Sequence, residues 1–167
     1  ILNSALLGGQ TLYITHGEEN MDTTVMGMVG AVDLTGKTGE IPLSALRWNT
    51  HGFLPTFASP LLNGNTLISV DNGAIIGAFD LETGKELWTR SLGTLQKGSP
   101  TMADGKIYVG TENGKFYILR PTATGVDVLD EDLLGTAAEP EPIVATPVVA
   151  NGRVYVTSME KLYAIGP

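Results

Sequence analysis

Short apolar segments separated by polar, glycine-containing turns recur along the chain. Three of them align closely and a fourth resembles them less; these are residues 59–70, 99–110, 146–157 and 4–15. Each joins a short apolar strand to a second one through a turn that carries Asn-Gly, Asp-Gly or Gly-Gly. Such dipeptides favour two-residue hairpins because a type I′ turn requires positive φ at both central residues. The pattern therefore predicts four β-hairpins.

A third strand with alternating side chains follows three of the hairpins, at 76–80, 116–119 and 162–165. A polar turn and an outer strand follow it, most clearly at 80–88. The turn glycines recur every 41–55 residues, and the four-stranded blades of β-propellers typically contain about 40–50 residues. The repeat length therefore indicates propeller blades, with an insertion in the first one.

The predicted fold class is all-β, a single β-propeller segment over residues 1–167. It comprises about four antiparallel four-stranded blades, of which the last lacks its outer strand. The predicted blades span approximately 4–48, 57–89, 98–131 and 145–166. One apolar position in the second strand of each hairpin is interpreted as packing between blades, and it is assigned to Tyr13, Leu67, Tyr108 and Tyr155.

Composition and charge exclude several classes of protein. The chain is 43% apolar and 17% charged with 21 glycines in 167 residues, which indicates a folded, turn-rich protein and excludes a collagen or a helical bundle. A net charge of −8 without a basic cluster argues against nucleic acid as a partner. No apolar run approaches the ~20 residues of a membrane-spanning helix. With no cysteine, the chain cannot carry a disulfide framework, a thiolate metal site or a cysteine nucleophile.

The most distinctive motif consists of Asp80, Thr83, Gly84 and Trp88. An Asp at a turn can accept backbone N–H groups two residues on, and Gly can adopt the left-handed conformation that the turn needs. The Trp offers a large flat face for packing between neighbouring blades. We interpret these four residues as structural.

This motif, Ala-x-Asp-x-x-Thr-Gly-Lys-x-x-Trp at 78–88, resembles the repeat of the pyrroloquinoline-quinone-like (quinoprotein-like) β-propellers. The Ser-Pro hairpins with Asp/Asn-Gly-x-hydrophobic-Tyr-Val strengthen the likeness, which covers nearly the whole chain. The resemblance implies a place in a seven- or eight-bladed ring, among its C-terminal blades. It also implies that the ring is completed by the remaining blades, on the same or another chain, or by a second copy. A four-bladed ring closed by this chain alone is a third alternative, which the long first blade makes less attractive.

Members of this family are of two functional kinds, and the resemblance leaves both open. Some are quinone-dependent alcohol or sugar dehydrogenases, which hold the quinone and a calcium ion at the ring axis and usually show a vicinal cysteine pair. Others are non-catalytic scaffolds. Because this chain lacks cysteine and a compact set of carboxylates, we expect a binding or scaffold module without a cofactor. The resemblance implies that it acts outside the cytoplasm, in the periplasm or as a secreted protein. The dehydrogenase, with pyrroloquinoline quinone and calcium, is the alternative.

The remaining polar clusters give only weak candidates. Glu18, Glu19 and Asp22 lie in the most polar insertion and could ligate Ca²⁺, although a solvated loop is the preferred interpretation. His16 and His51 are the only histidines, and we expect surface or structural roles for them. The run 139–142, Glu-Pro-Glu-Pro, is predicted to be an extended connector.

Overall fold

Four separate antiparallel sheets make up the computed structural model, which describes residues 3–166. In each sheet the strands pair in chain order, and the sheets are named blades 1 to 4. The strands are as follows: in blade 1, β1 Leu6–Gly8, β2 Thr11–His16, β3 Met28–Asp33 and β4 Trp48–His51; in blade 2, β5 Leu61–Asn63, β6 Thr66–Val70, β7 Ile75–Asp80 and β8 Glu86–Ser91; in blade 3, β9 Thr101–Ala103, β10 Lys106–Gly110, β11 Lys115–Thr122 and β12 Gly125–Leu133; in blade 4, β13 Val148–Ala150, β14 Arg153–Thr157 and β15 Leu162–Ile165.

The all-β prediction of three four-stranded blades and a three-stranded last blade is confirmed for the described residues. The insertion expected in blade 1 consists of two long segments, one before β3 and one after it. The second of these contains a 3₁₀ turn at Leu43–Ala45.

The hairpin turns fall into two kinds. In blades 3 and 4 the central pairs are Asp104-Gly105 and Asn151-Gly152, and all four residues have positive φ, as a type I′ turn requires. In blade 2, Asn63 pairs with Thr66, so that Gly64 and not Asn63 is the first central residue. The sequence interpretation of Asn63-Gly64 as the turn was therefore wrong by one position. A glycine at the first central position, with positive φ, is the arrangement of a type II′ turn.

The hydrophobic core is divided into three layers, each lying between two successive blades. The layer between blades 2 and 3 contains Ile68, Ala78 and Trp88 from one side and Val109 and Leu119 from the other. The layer between blades 1 and 2 is centred on Trp48, Phe53 and Phe79, and the layer between blades 3 and 4 on Phe116, Ile143 and Val156. Because both faces of an inner blade are buried in this way, its strands are apolar on both sides.

The repeated position in the second strand of each hairpin points toward the next blade. Tyr13, Ile68 and Tyr108 are the equivalents, because they pair with Leu6, Leu61 and Thr101 in the same register. Each lies in the layer that its blade shares with the following one. The assignment of Leu67 to this position was wrong: Leu67 is one residue earlier and faces blade 1, since neighbouring side chains on a strand point to opposite faces.

Candidate interaction surfaces

The turn between β7 and β8 is organised by the Asp80 carboxylate. Its Oδ1 accepts hydrogen bonds from the backbone N–H groups of Glu82 (3.1 Å) and Thr83 (2.9 Å) and from the Thr83 hydroxyl (2.8 Å). These hydrogen bonds, those from Thr83 above all, hold the pKa of Asp80 below its usual value because they stabilise the ionised form. The carboxylate is thereby committed to the turn.

The same turn receives the tryptophan of the preceding blade. Trp48 Nε1 donates to the Leu81 carbonyl at 2.9 Å, and the Thr50 hydroxyl donates to the Gly84 carbonyl at 2.6 Å. Gly84 has φ +71°, and a Cβ at this position would lie 2.6 Å from Cδ2 of Trp48. Only a residue without a side chain leaves room for the indole ring here. Sequence reasoning identified Gly84 as a turn residue and missed this contact.

Trp88 occupies on blade 2 the place that Trp48 occupies on blade 1, since each lies in the outer strand and in the layer shared with the next blade. The neighbouring Arg90 donates from Nη1 to the Val126 carbonyl of blade 3 at 2.8 Å. Gly84 and Trp88 therefore lie at junctions between blades, whereas Asp80 and Thr83 organise the turn that forms one side of such a junction.

The weak metal-ligand candidates Glu18, Glu19 and Asp22 lie in the polar insertion of blade 1. Within residues 3–166 no three His, Asp or Glu side chains lie close enough to hold an ion, so Glu18, Glu19 and Asp22 are not brought together. The loop is closed by its own backbone and amide groups: Gly27 N–H donates to the Glu18 carbonyl, and the Asn20 side chain donates to the Val25 carbonyl. Asp22 faces His51, with 3.5 Å between Oδ1 and Nε2.

The two histidines lie on either side of one methionine. His16 and His51 pair with Met28 from β2 and β4 respectively, so that β3 runs between them. Two strands that are not neighbours are separated by about 9–10 Å, twice the 4.7–4.9 Å spacing of paired strands. This register separates the histidines instead of bringing them together as metal ligands.

Glu141 is a buried carboxylate with a strongly lowered pKa. The sequence predicted it only as part of a connector. Glu141 is 5% exposed and accepts hydrogen bonds from the Ser158 hydroxyl and the Tyr163 hydroxyl, each at 2.8 Å, and from the Lys161 ammonium. These groups, Lys161 first, lower the pKa of Glu141 to about 2. They fasten the connector to blade 4.

Glu141 and its partners Ser158, Lys161 and Tyr163 are called the Glu141 cluster. Glu141, Lys161 and Tyr163 line a cavity of about 650 Å³ between blades 3 and 4. Its lining is mainly polar and includes Glu139, Glu160 and Thr136. In the described part of the chain neither Glu139 nor Glu160 forms an ion pair, whereas Lys161 is paired with Glu141. The cavity therefore carries an excess of negative charge.

The Glu141 cluster should make stability depend on pH in the acid range. The Glu141 carboxyl has a pKa of about 2 in the folded chain, below the ordinary 4.5. Its contribution to the free energy of unfolding is therefore complete above pH 4.5 and is lost as the pH falls through about 2. For Glu141→Gln we expect a lower urea midpoint at pH 6 and a smaller decrease between pH 4.5 and 2. Parallel pH profiles of the variant and the parent chain would contradict this assignment. Glu139→Gln, in the same cavity, is the matched control and should keep the parent profile.

Hydrogen bonds connect the residues just before the first strands of successive blades, and we call these first strands the innermost ones. None of the residues of β1, β5, β9 or β13 has an ionisable side chain. A Ca²⁺ ion bound with a quinone would need several oxygen ligands, carboxylates among them. The described residues do not fit this requirement along the innermost strands.

Two blade faces have no blade against them among residues 3–166. The forward face belongs to blade 4: Val154, Val156 and Tyr163 point toward blade 3, so the alternate residues of its strands point away. We define the forward face by Val148, Tyr155, Leu162 and Ala164. Val148 and Leu162, on the two edge strands of this sheet, are 55% and 67% exposed.

The rear face belongs to blade 1 and is defined by Leu7, Leu12, Ile14, Met28 and Val32. It is partly covered by the chain itself, because Met28 and Val32 are buried while Leu7 is 59% exposed. A largely apolar cavity of about 320 Å³ opens on this face, between Ile14, Met28 and Leu43.

The consecutive four-stranded blades, the core layers between them and the junction of a tryptophan with a Thr-Gly turn define a segment of a pyrroloquinoline-quinone-like β-propeller. Comparison with known proteins agrees with this class and specifies it further. The chain belongs to the family described as outer membrane protein assembly factor BamB, whose profile matches residues 23–166.

The relatives are longer than this chain. It is 28% identical over 162 residues to the outer membrane protein assembly factor BamB of Salmonella typhimurium, and the match covers 91% of this chain and 38% of that protein. The crystal structure of BamB from Moraxella catarrhalis superposes with a TM-score of 0.72 at 20% identity, over 99% of this chain and 46% of that one. A europium-containing methanol dehydrogenase superposes over 81% of this chain and 25% of its own, with a TM-score of 0.56 and 19% identity. The chain thus spans less than half of the relatives that it matches.

A search of the described residues for a helix long and apolar enough to cross a membrane found none.

Proposed function

We propose that this chain is a non-catalytic binding module, part of a propeller scaffold that contributes to the assembly of outer membrane proteins. The observation that carries the proposal is the family match over residues 23–166, together with a relative of that name that aligns with 91% of the chain. We also propose that it acts outside the cytoplasm, on the periplasmic side of the outer membrane. Its partners are proteins of the assembly machinery and the blades that complete its ring.

The use of its polar residues supports a scaffold. The motif carboxylate Asp80 is committed to a turn, and the buried carboxylate Glu141 is held by three donors on the adjoining blade. A general base needs a pKa near the working pH and access to a substrate proton. Asp80 and Glu141 instead have lowered pKa values and saturated hydrogen bonds, which suits positioning and not proton transfer.

The alternative is that the chain is part of a quinone-dependent dehydrogenase. The likeness to methanol dehydrogenase favours it only at the level of the fold, because the identity is 19% and a fold hosts many functions. The uncharged innermost strands count against it.

The proposal is tested by removing the coding region of residues 3–166 from the gene in its native host. We expect a lower content of folded outer membrane proteins, measured by quantitative proteomics of isolated outer membranes, with inner membrane proteins as the internal control. An epitope-tagged copy should appear in the periplasmic or outer membrane fraction. Unchanged outer membrane content would contradict the scaffold function, and a cytoplasmic tag would contradict the location.

The dehydrogenase alternative is tested on the purified protein encoded by the whole gene, with pyrroloquinoline quinone and Ca²⁺ added. Reduction of an artificial electron acceptor with a panel of alcohols and sugars would support the enzyme. We expect no acceptor reduction above that of the quinone and Ca²⁺ without protein.

A further inference from the structure

Asparagine followed by glycine occurs four times in the chain, at 63–64, 72–73, 113–114 and 151–152. An asparagine side chain loses its amide group most readily in this dipeptide, because glycine has no Cβ to hinder the approach of its backbone nitrogen. The first three pairs lie in blades 2 and 3, each of which packs against a described blade on both sides. Their surroundings are therefore set by blades that the structure describes.

The loss of the amide is an intramolecular reaction. The backbone nitrogen of the glycine forms a bond to Cγ of the asparagine, the bond between Cγ and Nδ2 breaks, and ammonia leaves with the proton of the glycine N–H. Water then opens the resulting succinimide ring at one of its two carbonyl carbons, which yields aspartate or isoaspartate. The glycine N–H must therefore be free to give up its proton, and the side chain must be free to rotate toward it.

The Asn72-Gly73 pair, in the turn after β6, meets neither requirement. Asn72 Nδ2 donates to Thr56 Oγ1 at 2.7 Å, and Asn72 Oδ1 accepts from the Thr56 N–H at 3.2 Å. The Gly73 N–H donates to the Asp71 carboxylate. Both groups that would have to react are thus held by other partners.

The corresponding turn of blade 3 holds Asn113-Gly114 in a similar way. The Thr111 hydroxyl donates to Asn113 Oδ1 at 2.5 Å, and the Gly114 N–H donates to the Thr111 carbonyl at 3.1 Å. At least two hydrogen bonds must therefore break in this pair, as in Asn72-Gly73, before the ring can close.

The Asn63-Gly64 pair, at the tip of the β5–β6 hairpin, is held only through its backbone carbonyl. Asn63 pairs with Thr66, whose hydroxyl donates to the Asn63 carbonyl at 2.7 Å. Within residues 3–166, neither the Asn63 side chain nor the Gly64 N–H forms a hydrogen bond. Gly64 is also exposed, so that water reaches the reacting groups.

From this we propose that Asn63 is the site at which the folded chain deamidates, giving aspartate and isoaspartate at this position, while the fold protects Asn72 and Asn113. The inference concerns a covalent modification and does not depend on the proposed function.

Isoaspartate at this site would disturb the junction of blades 1 and 2. It carries the chain through the former side-chain carbonyl and so adds one methylene group to the backbone of the hairpin. The neighbouring Asn65 accepts from the Leu81 N–H at 3.1 Å and donates from Nδ2 to Asp80 Oδ2 at 3.2 Å. Because these bonds tie the hairpin to the turn that receives Trp48, we expect isoaspartate to loosen that turn.

Peptide mapping by mass spectrometry tests the site on the purified protein encoded by the whole gene, aged in mildly alkaline buffer. Each conversion replaces an amide by a carboxylate, and water enriched in heavy oxygen labels the product. We expect a rate at Asn63 about tenfold or more above the rates at Asn72 and Asn113, where at least two hydrogen bonds must break first. Comparable rates at the three pairs, or a higher rate at Asn72 or Asn113, would overturn the proposal.

Two further samples show whether the fold causes the selectivity. In the urea-unfolded protein the three pairs have no fixed hydrogen bonds, so their rates should converge. Thr56→Val removes the acceptor of the Asn72 amide and should raise the Asn72 rate, with the Asn63 rate and the circular dichroism spectrum unchanged. Rates that stay apart in urea, or an unchanged Asn72 rate in Thr56→Val, would refute the structural argument.

The effect on the junction is measured on the isoaspartate-containing fraction, separated by ion exchange and identified by its methylation with a protein isoaspartyl methyltransferase. Its urea midpoint should be lower than that of Asn63→Asp, which has the same added charge without the extra methylene group. Asn63→Gln should form neither product at this position and keep the parent midpoint during ageing. Equal midpoints for the isoaspartate fraction and Asn63→Asp would contradict the expected loosening of the turn.

Discussion

Replacing Gly84 by alanine is expected to lower the free energy of unfolding by about 2–5 kcal/mol. Two costs combine at this position. With φ at +71°, any residue with a Cβ is strained by roughly 1–2 kcal/mol. The added methyl group would also overlap the indole of Trp48, 2.6 Å from its Cδ2, and overpacking of this kind costs typically 1–3 kcal/mol.

Gly105→Ala separates the two costs. Gly105 has φ +69°, nearly that of Gly84, but no atom lies within 4 Å of a Cβ built there. We therefore expect about 1–2 kcal/mol for Gly105→Ala, from backbone strain alone. Urea unfolding followed by tryptophan fluorescence measures both variants, and the Trp48 emission should change only in Gly84→Ala before unfolding begins. Equal losses in the two variants would show that the contact with Trp48 contributes nothing.

The elements of this fold could be predicted from sequence because their determinants are local. A hairpin depends on two short apolar runs and a turn dipeptide, and those signals lie within twelve residues of one another in each repeat. Where the local signal was ambiguous the prediction failed by a single residue. Asn63-Gly64 and Gly64-Asn65 are both plausible turns, and the choice between them decides whether Leu67 or Ile68 faces blade 3.

The contacts that make up the interaction surfaces could not be predicted in the same way, because each joins residues that are at least 17 positions apart in the chain. Trp48 and Gly84 meet across the junction of blades 1 and 2, and neither residue alone indicates the other. Glu141 precedes its partners Ser158 and Tyr163 by 17 and 22 residues. In sequence it is one acid in a proline-rich connector, and only the packing of that connector on blade 4 gives it three donors. The hydrogen bonds that join Ser59 to Ser99 and Ser99 to Thr146 likewise become apparent only when successive blades stand side by side.

Gly110→Ala is the second substitution with a large expected effect, and it concerns the junction of blades 3 and 4. Gly110 lies at the end of β10, and a Cβ there would come within 2.7 Å of Ile143 Cβ, in the middle of a fully buried side chain. Because the position of a Cβ atom is set by the backbone, no rotamer change of Ile143 moves it away, and we expect a loss of about 1–3 kcal/mol. Gly30→Ala is the matched control. Gly30 is also a buried strand glycine, but its nearest contact would be an ordinary 3.4 Å, so stability should change little.

A double-mutant cycle with Ile143→Ala shows whether the two residues compete for one space. Ile143→Ala alone leaves a cavity between blades 3 and 4 and should cost about 2–5 kcal/mol. In Gly110→Ala/Ile143→Ala the new methyl group occupies part of that cavity, so the double variant should be more stable than the sum of the single losses predicts. A coupling of about 1 kcal/mol or more is expected for residues in direct contact. Additive losses would mean that Gly110 is required for its backbone and not for the approach of Ile143. Coupled losses would establish that the connector before blade 4 is held by shape at Gly110, in addition to the charge of Glu141 on its other side.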